Sequence, residues 1–349
     1  MIVFVMKKLL LLLLLVSAAL IAADKKIIVQ ASSNSPWVAD DKAMAGYRGA
    51  AGGQADIVLT KNAAEFAREI VDADGVIGGI SKELYPKAAK LKWVQTTSAG
   101  VEAYSFWPEF VKSGITLTNC KIAQGPTIAD HAMAMLLAHT RGLLRYIPGR
   151  TEEDWARGPG DSEGMTELPG MTAVVIGVGG IGTQIAIRAH AFGMTVIGVD
   201  PKDIPIAPFL SKVVRPNRLN EVLPEADVVF ISAPLTPESE GMMGPAQFDL
   251  MKKGSYFIAV SRGRIYSKQA LMKALDSKKL AGAGLDVVDP EPLPKGDPLW
   301  KFDNVIITPH VASRAEGSNR RRVEAITENV GRFARGEELI NVVDKEKGY

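Results

Sequence analysis

One cysteine, Cys120, stands in 349 residues, and histidine occurs four times, at His131, His139, His190 and His310. A lone thiol excludes an internal disulfide and any Cys-rich zinc site. Four histidines give poor support to a multi-His metal centre, so no metal is expected. Neither sign of charge is in excess: 41 Lys and Arg face 39 Asp and Glu. Two of the cations, Lys7 and Lys8, lie in an N-terminal segment that reads as an address, and without them the balance is zero. A neutral chain carries no global electrostatic footprint for nucleic acid. Long apolar runs are missing after residue 23, so nothing beyond that point reads as a membrane span. Internal repeats and low-complexity tracts are missing too. What is present is ordinary: 47% apolar and 23% charged residues, the balance of a soluble globular protein. The length allows about two domains.

Residues 1–23 read MIVFVMKKLLLLLLLVSAALIAA. Two lysines precede a leucine run from Leu9 to Leu15, then small residues follow, the pattern of a secretory signal peptide. Cleavage after Ala23 or after Ala19 fits, and Met6 is an alternative start. The rival reading is an uncleaved anchor. The apolar stretch Leu9–Ala23 is 15 residues long, short of the ~20 needed to span a bilayer. No cysteine for a lipid anchor and no twin arginine accompany it. A functional leader implies a periplasmic or secreted protein with no stable span after leader removal. Without a functional leader the protein is cytoplasmic.

From Asp24 the chain alternates short apolar runs with helical stretches. KKIIVQ (25–30), ADIVLT (55–60), GVIGGI (75–80), WVQTTS (93–98) and ITLTNC (115–120) read as strands. AAEFAREIV (63–71) and KELYPKAAKL (82–91) carry helix-like spacing. A long helix is expected over about 127–146, followed by a polar excursion at 148–169. The alternation restarts at Met171 with strands AVVIG, TVIGVD, DVVFIS (227–232), YFIAV (256–260), GAGLDVV (282–288) and NVIITP (304–309). A helix over about 315–334 closes it. Strands alternating with helices imply parallel sheets covered on both faces, here as two α/β domains.

Residues 177–182 read Gly-Val-Gly-Gly-Ile-Gly, a G-x-G-x-x-G between an apolar strand and a helix. Gly177 permits the tight turn, Gly179 leaves room for a pyrophosphate, and Gly182 lets helix and strand pack closely. Gly180 and Ile181 open a helix whose free N–H groups suit phosphate charge. Asp200 ends the next strand, 23 residues after Gly177. Its carboxylate suits both ribose hydroxyls and repels a 2′-phosphate, which favours NAD over NADP. Lys202 is the one feature pulling the other way. Downstream, Arg262, Glu291 and His310 each follow an apolar strand, where a parallel sheet lines its ligand crevice. Singly, each reads as a surface or turn residue. As a set at strand ends they point to one site beside a nicotinamide. His131 reads as structural or as a subunit contact, and His139 and His190 as packing or helix-surface residues.

These stretches resemble the D-isomer-specific 2-hydroxyacid dehydrogenase family, which includes glyoxylate/hydroxypyruvate reductases, phosphoglycerate dehydrogenases and D-lactate dehydrogenases. The matching segments are Val174–Asp200, Ala233-Pro-Leu-Thr-Pro237, Ser261-Arg-Gly263 with Ala270-Leu271, Leu285-Asp-Val287 through Glu291-Pro-Leu-Pro294, and Thr308-Pro-His310. The resemblance implies hydride transfer between nicotinamide and a 2-oxo or D-2-hydroxy acid. It implies that Arg262 binds the substrate carboxylate and carbonyl oxygen. His310 would be the general acid/base, and Glu291 would hold the imidazole and favour its charged form. Asp286 would bind the nicotinamide carboxamide. Ala233, Ser261 and Gly263, with Arg262 and His310, would line the cofactor. Backbone N–H groups in the loop Ser98-Ala99-Gly100 would receive the substrate carboxylate.

The implied architecture is a Rossmann NAD-binding domain, 122–310, inserted in a flavodoxin-like substrate domain made of 24–121 and 311–349. A cleft between the two would close on the reactants and exclude water. Residues 127–146 and 148–169 would be the surfaces of a homodimer. Three supporting positions depart from the family pattern: Ala259 replaces an Asn, Ser267 an Asp and Asp130 a Glu. Ser267 can still cap the following helix. Glu291, where formate dehydrogenases carry Gln, argues against formate oxidation. An export signal on an NAD enzyme is unusual, because nicotinamide cofactors circulate inside cells. The alternative function is therefore a catalytically weak NAD-binding sensor or corepressor-like protein on the same fold. The intact Arg–Glu–His set favours the enzyme.

Overall fold

The computed structural model describes residues 24–32, 35–147, 164–205 and 207–349. The expected leader at 1–23 and most of the 148–169 excursion lie outside the described residues. Among the described residues, no helix is long and apolar enough to cross a membrane.

Among the described residues, twelve strands form two sheets. The first joins β1 (Lys25–Gln30), β2 (Ala55–Thr60), β3 (Gly75–Ile77), β4 (Trp93–Gln95) and β5 (Thr116–Thr118) in the order β2-β1-β3-β4-β5. The second joins β6 (Thr172–Ile176), β7 (Thr195–Val199), β8 (Lys212–Val214), β9 (Val228–Ile231), β10 (Ser255–Ala259), β11 (Leu280–Leu285) and β12 (Val305–Ile307). Its order is β12-β11-β10-β9-β6-β7-β8. Every ladder in both sheets is parallel. The first order is that of flavodoxin and the second is the Rossmann order with one added strand. Both sheets are as expected from the alternating pattern.

Six described helices reach seven residues: α1 (Asp41–Ala51), α2 (Ala63–Glu69), α3 (Lys121–Thr140), α4 (Gly180–Ala191), α5 (Lys268–Asp276) and α6 (Glu316–Arg335). Two readings of the sequence need correction. Residues 82–91 form only a 3-10 turn, Tyr85–Lys87. Pro86 removes a backbone donor and its ring obstructs a longer helix. The long helix begins at Lys121, before Pro126, and ends at Thr140. Gly142, left-handed at φ 65°, separates it from the short turn Leu143–Tyr146. Helix α1 was not singled out in the sequence, where Gly46, Arg48 and Gly49 interrupt its apolar residues and hide its period. Asp40 caps it by accepting from the Ala43 N–H at 2.7 Å, and left-handed Gly52 stops it.

Contacts divide the chain into two compact units. The first comprises residues up to Thr97, Lys112–Cys120 and Arg322–Val343. The second comprises Ser98–Val111, Lys121–Arg321 and Asp344–Tyr349. In the first, Ile27, Ile28, Val76, Ile77, Trp93 and Val94 are fully buried on the sheet. A polar network runs through that core. Trp93 Nε1 donates to Thr118 Oγ1 at 2.9 Å, Thr118 donates to Gln95 Oε1 at 2.8 Å, and Asn329 Nδ2 donates to the same oxygen at 2.9 Å. These side chains satisfy one another, which ties the sheet to α6.

Cys120 is fully buried beside this network, and its Sγ donates to the Thr96 carbonyl at 3.4 Å. Burial pushes its thiol up to about 12, with the Arg322 charge acting weakly the other way. The native protein should therefore show no reaction with an aromatic disulfide reagent at neutral pH, and the single thiol should react fully in denaturant. Rapid reaction of the native protein would contradict the burial.

In the second unit, apolar residues cover both faces of the central strands. Val174, Ile176, Val229 and Ile231 face one layer, and Ala173, Val175, Val228 and Phe230 the other. This two-sided burial explains their continuous apolar runs. Helix α3 packs closely on α4: a Cβ at Gly125 would stand 2.5 Å from the Gly180 carbonyl oxygen.

Candidate active site

Most residues singled out in the sequence follow the C-terminal ends of strands in the second sheet, while the loop Ser98-Ala99-Gly100 follows β4 of the first. The strand order reverses between β6 and β9, and ligands of open α/β sheets bind at such a switch point. Gly177 ends β6 with φ +89°, a conformation that favours glycine, and a Cβ there would stand 2.5 Å from the Ala233 nitrogen beyond β9. Gly182 is equally constrained: its Cβ would meet the Gly177 carbonyl oxygen at 1.8 Å and Ser232 Oγ at 2.8 Å. Gly179 differs, since a Cβ there would meet nothing within 4 Å. It precedes Gly180, the first residue of α4, and Ile181 is half-buried in the first turn. Open space before a helix N-terminus is a cradle for an anion.

Asp200 ends β7 and is 7% exposed. Its Oδ2 accepts from the Val178 N–H and its Oδ1 from the Lys202 N–H, both at 2.8 Å. The carboxylate thus braces the glycine loop, and each oxygen keeps a further lone pair for a hydroxyl. Lys121 was not singled out in the sequence. A Cβ at Gly180 would lie 3.1 Å from the Lys121 carbonyl oxygen, which places that residue at the helix N-terminus. Burial and the neighbouring Lys202 charge hold the Lys121 ammonium below its usual range. The glycine cradle and the braced acid fit a dinucleotide.

Three loops carry the candidate catalytic residues. Glu291 Oε2 lies 2.8 Å from His310 Nδ1, and Glu291 Oε1 accepts from the Val288 N–H at 3.1 Å. His310 has a positive φ of 52°. Its N–H donates to the Asp286 carbonyl at 2.9 Å, which holds that uncommon backbone state. The Asp286 carboxylate points into the same turn. It accepts from Thr308 Oγ1 at 2.6 Å, the Val311 N–H at 2.9 Å and the Ala312 N–H at 3.0 Å. His131 Nε2 lies 3.0 Å from Thr308 Oγ1, so this histidine backs the turn from α3. His139 is buried, 3.0 Å from the Ala283 carbonyl oxygen, and packs on Tyr256. Burial lowers its tendency to ionise, against the raising effect of the Ala283 hydrogen bond.

Arg262 follows β10. Its Nη1 donates to the Ser261 carbonyl at 2.7 Å. Its Nε and Nη2 donate to Glu102 Oε1 and Oε2 at 2.6 and 3.2 Å. Gly100 presses on this pair, since a Cβ there would stand 1.7 Å from Arg262 Nη2. The loop Ser98-Ala99-Gly100 is therefore brought to Arg262, with Ser98 Oγ donating to the Gly100 carbonyl at 2.7 Å. Glu102 escaped the sequence reading, although it lies two residues beyond that loop. Burial works to raise its carboxyl, but the Arg262 hydrogen bond and charge outweigh burial, and His310 adds a smaller favourable field. Glu102 is held below the usual carboxylate range. That field puts His310 in the electrostatic neighbourhood of the Arg262–Glu102 pair. Ser261 Oγ is buried and has no hydrogen-bond partner among the described residues, an atom left for a ligand. Gly263 packs backbone to backbone, its would-be Cβ 2.1 Å from the Val288 carbonyl carbon. Ser267 caps α5 by accepting from the Ala270 N–H at 3.2 Å, as its position suggests.

A family model described as D-isomer specific 2-hydroxyacid dehydrogenase, NAD binding domain, matches residues 133–312. A glyoxylate reductase from Korarchaeum cryptofilum is 35% identical over 272 residues, covering 76% of this chain and 80% of that protein. The crystal structure of a D-lactate dehydrogenase from Aquifex aeolicus, complexed with NAD and lactic acid, superposes with a TM-score of 0.72. It shares 27% identity over 91% of this chain and 99% of that one. A D-isomer specific 2-hydroxyacid dehydrogenase from Xanthobacter autotrophicus, in complex with NADPH and MES, superposes at 0.77 with 25% identity, over 93% and 99% of the two chains. With the parallel sheets, the glycine cradle and the Glu291–His310 pair in place, these likenesses establish that the chain belongs to the D-isomer specific 2-hydroxyacid dehydrogenase family and is an NAD(P)-dependent enzyme of that class.

Proposed function

We propose that this enzyme reduces a small 2-oxo acid to its D-2-hydroxy acid with NADH, using Arg262, Glu291 and His310. The second unit, close to the 122–310 segment read from the sequence, would hold the cofactor, and the first would be the substrate domain. Gly177, Gly179, Gly180, Ile181 and Gly182 would seat the pyrophosphate, with Ala233 beside it. Asp200 would take the ribose hydroxyls. Ser261 Oγ and the remaining lone pair of Asp286 would meet the nicotinamide end, with Gly263, Arg262 and His310 around it. The cofactor, when bound, supplies the two-electron reductant.

The chain's own residues do the rest. Arg262 has five N–H donors. Three are used by Glu102 and Ser261, which leaves one on each terminal nitrogen for the substrate carboxylate and carbonyl oxygen. The Ala99 and Gly100 N–H groups would share the carboxylate with Ser98 holding their loop. His310 donates a proton from Nε2 to the carbonyl oxygen during reduction and takes it back during oxidation. Glu291 fixes a proton on Nδ1, so Nε2 is the nitrogen presented to substrate. The observation that carries this reading is the 2.8 Å Glu291–His310 pair, clustered with Arg262 through Glu102. The buried Asp200 carboxylate supports NAD over NADP.

The same reading takes residues 1–23 as an export leader. It also takes a homodimer through the region of α3, where Ile122, Leu143 and Ile147 expose large apolar side chains. The test is a panel of 2-oxo acids (glyoxylate, hydroxypyruvate, pyruvate and bulkier members) with NADH and with NADPH. At least one acid should be turned over, with NADH favoured at least about tenfold by the charge conflict at Asp200. NAD binding without turnover of any acid would support the sensor reading instead.

A further inference from the structure

Glu102 is the residue of this cluster that neither the motif pattern nor the proposed chemistry accounts for. It grips Arg262 side-on, through Nε and Nη2, and thereby holds Nη2 against Gly100 of the loop. The pair is partly buried, with side-chain exposures of 24% for Arg262 and 35% for Glu102. Its formal charge is zero, and Glu291 adds a negative charge beside His310. One substrate carboxylate can be met by the two remaining Arg262 donors and the loop N–H groups. Among the described residues of this cluster, the other group able to carry positive charge is His310, which is committed to Glu291 and, in the proposed chemistry, to the substrate carbonyl oxygen. Arg264, two residues on, is committed to Glu240 at 2.6 Å.

We propose that Glu102 is a positioning and specificity-determining residue: it fixes Arg262 in the substrate-facing orientation and discriminates against 2-oxo acids that carry a second negative charge. This rests on the proposed reduction of 2-oxo acids and narrows it to monoanionic substrates, neutral or hydrogen-bond-donating beyond the carbonyl. A like charge brought near a partly buried carboxylate is repelled there more strongly than in water. A hydroxyl at C3 is instead a donor that the carboxylate accepts.

Two paired measurements on Glu102→Gln and Glu102→Asp test it. Kinetics compare kcat/KM for hydroxypyruvate with that for oxaloacetate. Equilibrium binding to the protein–NADH complex compares oxamate with oxalate, which share a shape and differ by one charge. In the wild type the monoanion should be preferred in both pairs. In Glu102→Gln the preference should shrink by about tenfold or more, mainly through a lower KM and Kd for the dianion. Glu102→Asp keeps the charge and should keep the preference, even if a shifted Arg262 lowers kcat. A ratio unchanged within about twofold in Glu102→Gln overturns the proposal, whatever happens to absolute rates. So does a ratio lost equally in Glu102→Asp, which would indicate mere structural support. A wild type that turns over no 2-oxo acid sinks the functional reading, and the oxamate–oxalate ratio then still decides the role of Glu102.

Discussion

His310→Asn should lower kcat by about two to four orders of magnitude while leaving the dissociation constant for NADH within about threefold. The size follows from the usual contribution of a positioned general acid. Asparagine is close to histidine in reach and tolerates the positive φ of 52° at this position, so the turn should survive. The backbone bond from the residue-310 N–H to the Asp286 carbonyl does not involve the side chain and remains available. What is lost is a proton donor held by Glu291 at 2.8 Å. Glu291→Gln should give a smaller loss, because the amide oxygen can still accept from the ring Nδ1–H and hold the imidazole in place. Stopped-flow turnover alongside cofactor fluorescence titration checks both variants. An unchanged kcat in His310→Asn would remove histidine from the chemistry.

The second large effect separates two glycines three residues apart. Gly182→Ala should destabilise the protein by about 3 kcal/mol, the upper end for forcing extra volume into a packed site. For a domain of this size that is a fall in Tm on the order of 10 °C. The new methyl would overlap the Gly177 carbonyl oxygen, 1.8 Å away, and neither backbone segment can step aside. Gly179→Ala should fold normally, since nothing lies within 4 Å of its Cβ and its φ of −81° suits alanine. Its methyl would instead stand in the cradle, and NADH affinity should fall at least about tenfold. Thermal unfolding and NADH titration on both variants give four numbers. Equal damage to stability in the two would contradict the assignment of packing to one and ligand space to the other.

The parts of this molecule that were legible in the sequence share one physical property: their spacing follows from regular structure. A buried parallel strand must be apolar, so the residue that ends it stands out, and Asp200, Arg262 and His310 were found that way. The glycine loop was legible because a strand and a helix bracket it. Glu102 was not, because its partner Arg262 lies 160 residues away. Only the folded loop at Gly100 brings them together. Asp286 could be singled out in the sequence, but the three donors that its carboxylate takes from the 308–312 turn could not. Strand β8 has three residues, sits at a sheet edge and half faces solvent, too little to show an alternation. The helix pattern at 82–91 misled because Pro86 outweighs apolar spacing. Pro126 misled in the opposite sense, since α3 runs through it with its start five residues earlier.

The central claim is that this chain delivers hydride to C2 of a 2-oxo acid while His310 supplies the proton. The most direct measurement uses NADH deuterated at the transferring position of nicotinamide C4, with the acid that the panel selects, and reads the product by NMR and chiral chromatography. The account predicts one deuterium at C2 of a D-2-hydroxy acid, and loss of that product in His310→Asn with cofactor still bound. An L product, protium at C2, or full turnover by the variant would contradict it.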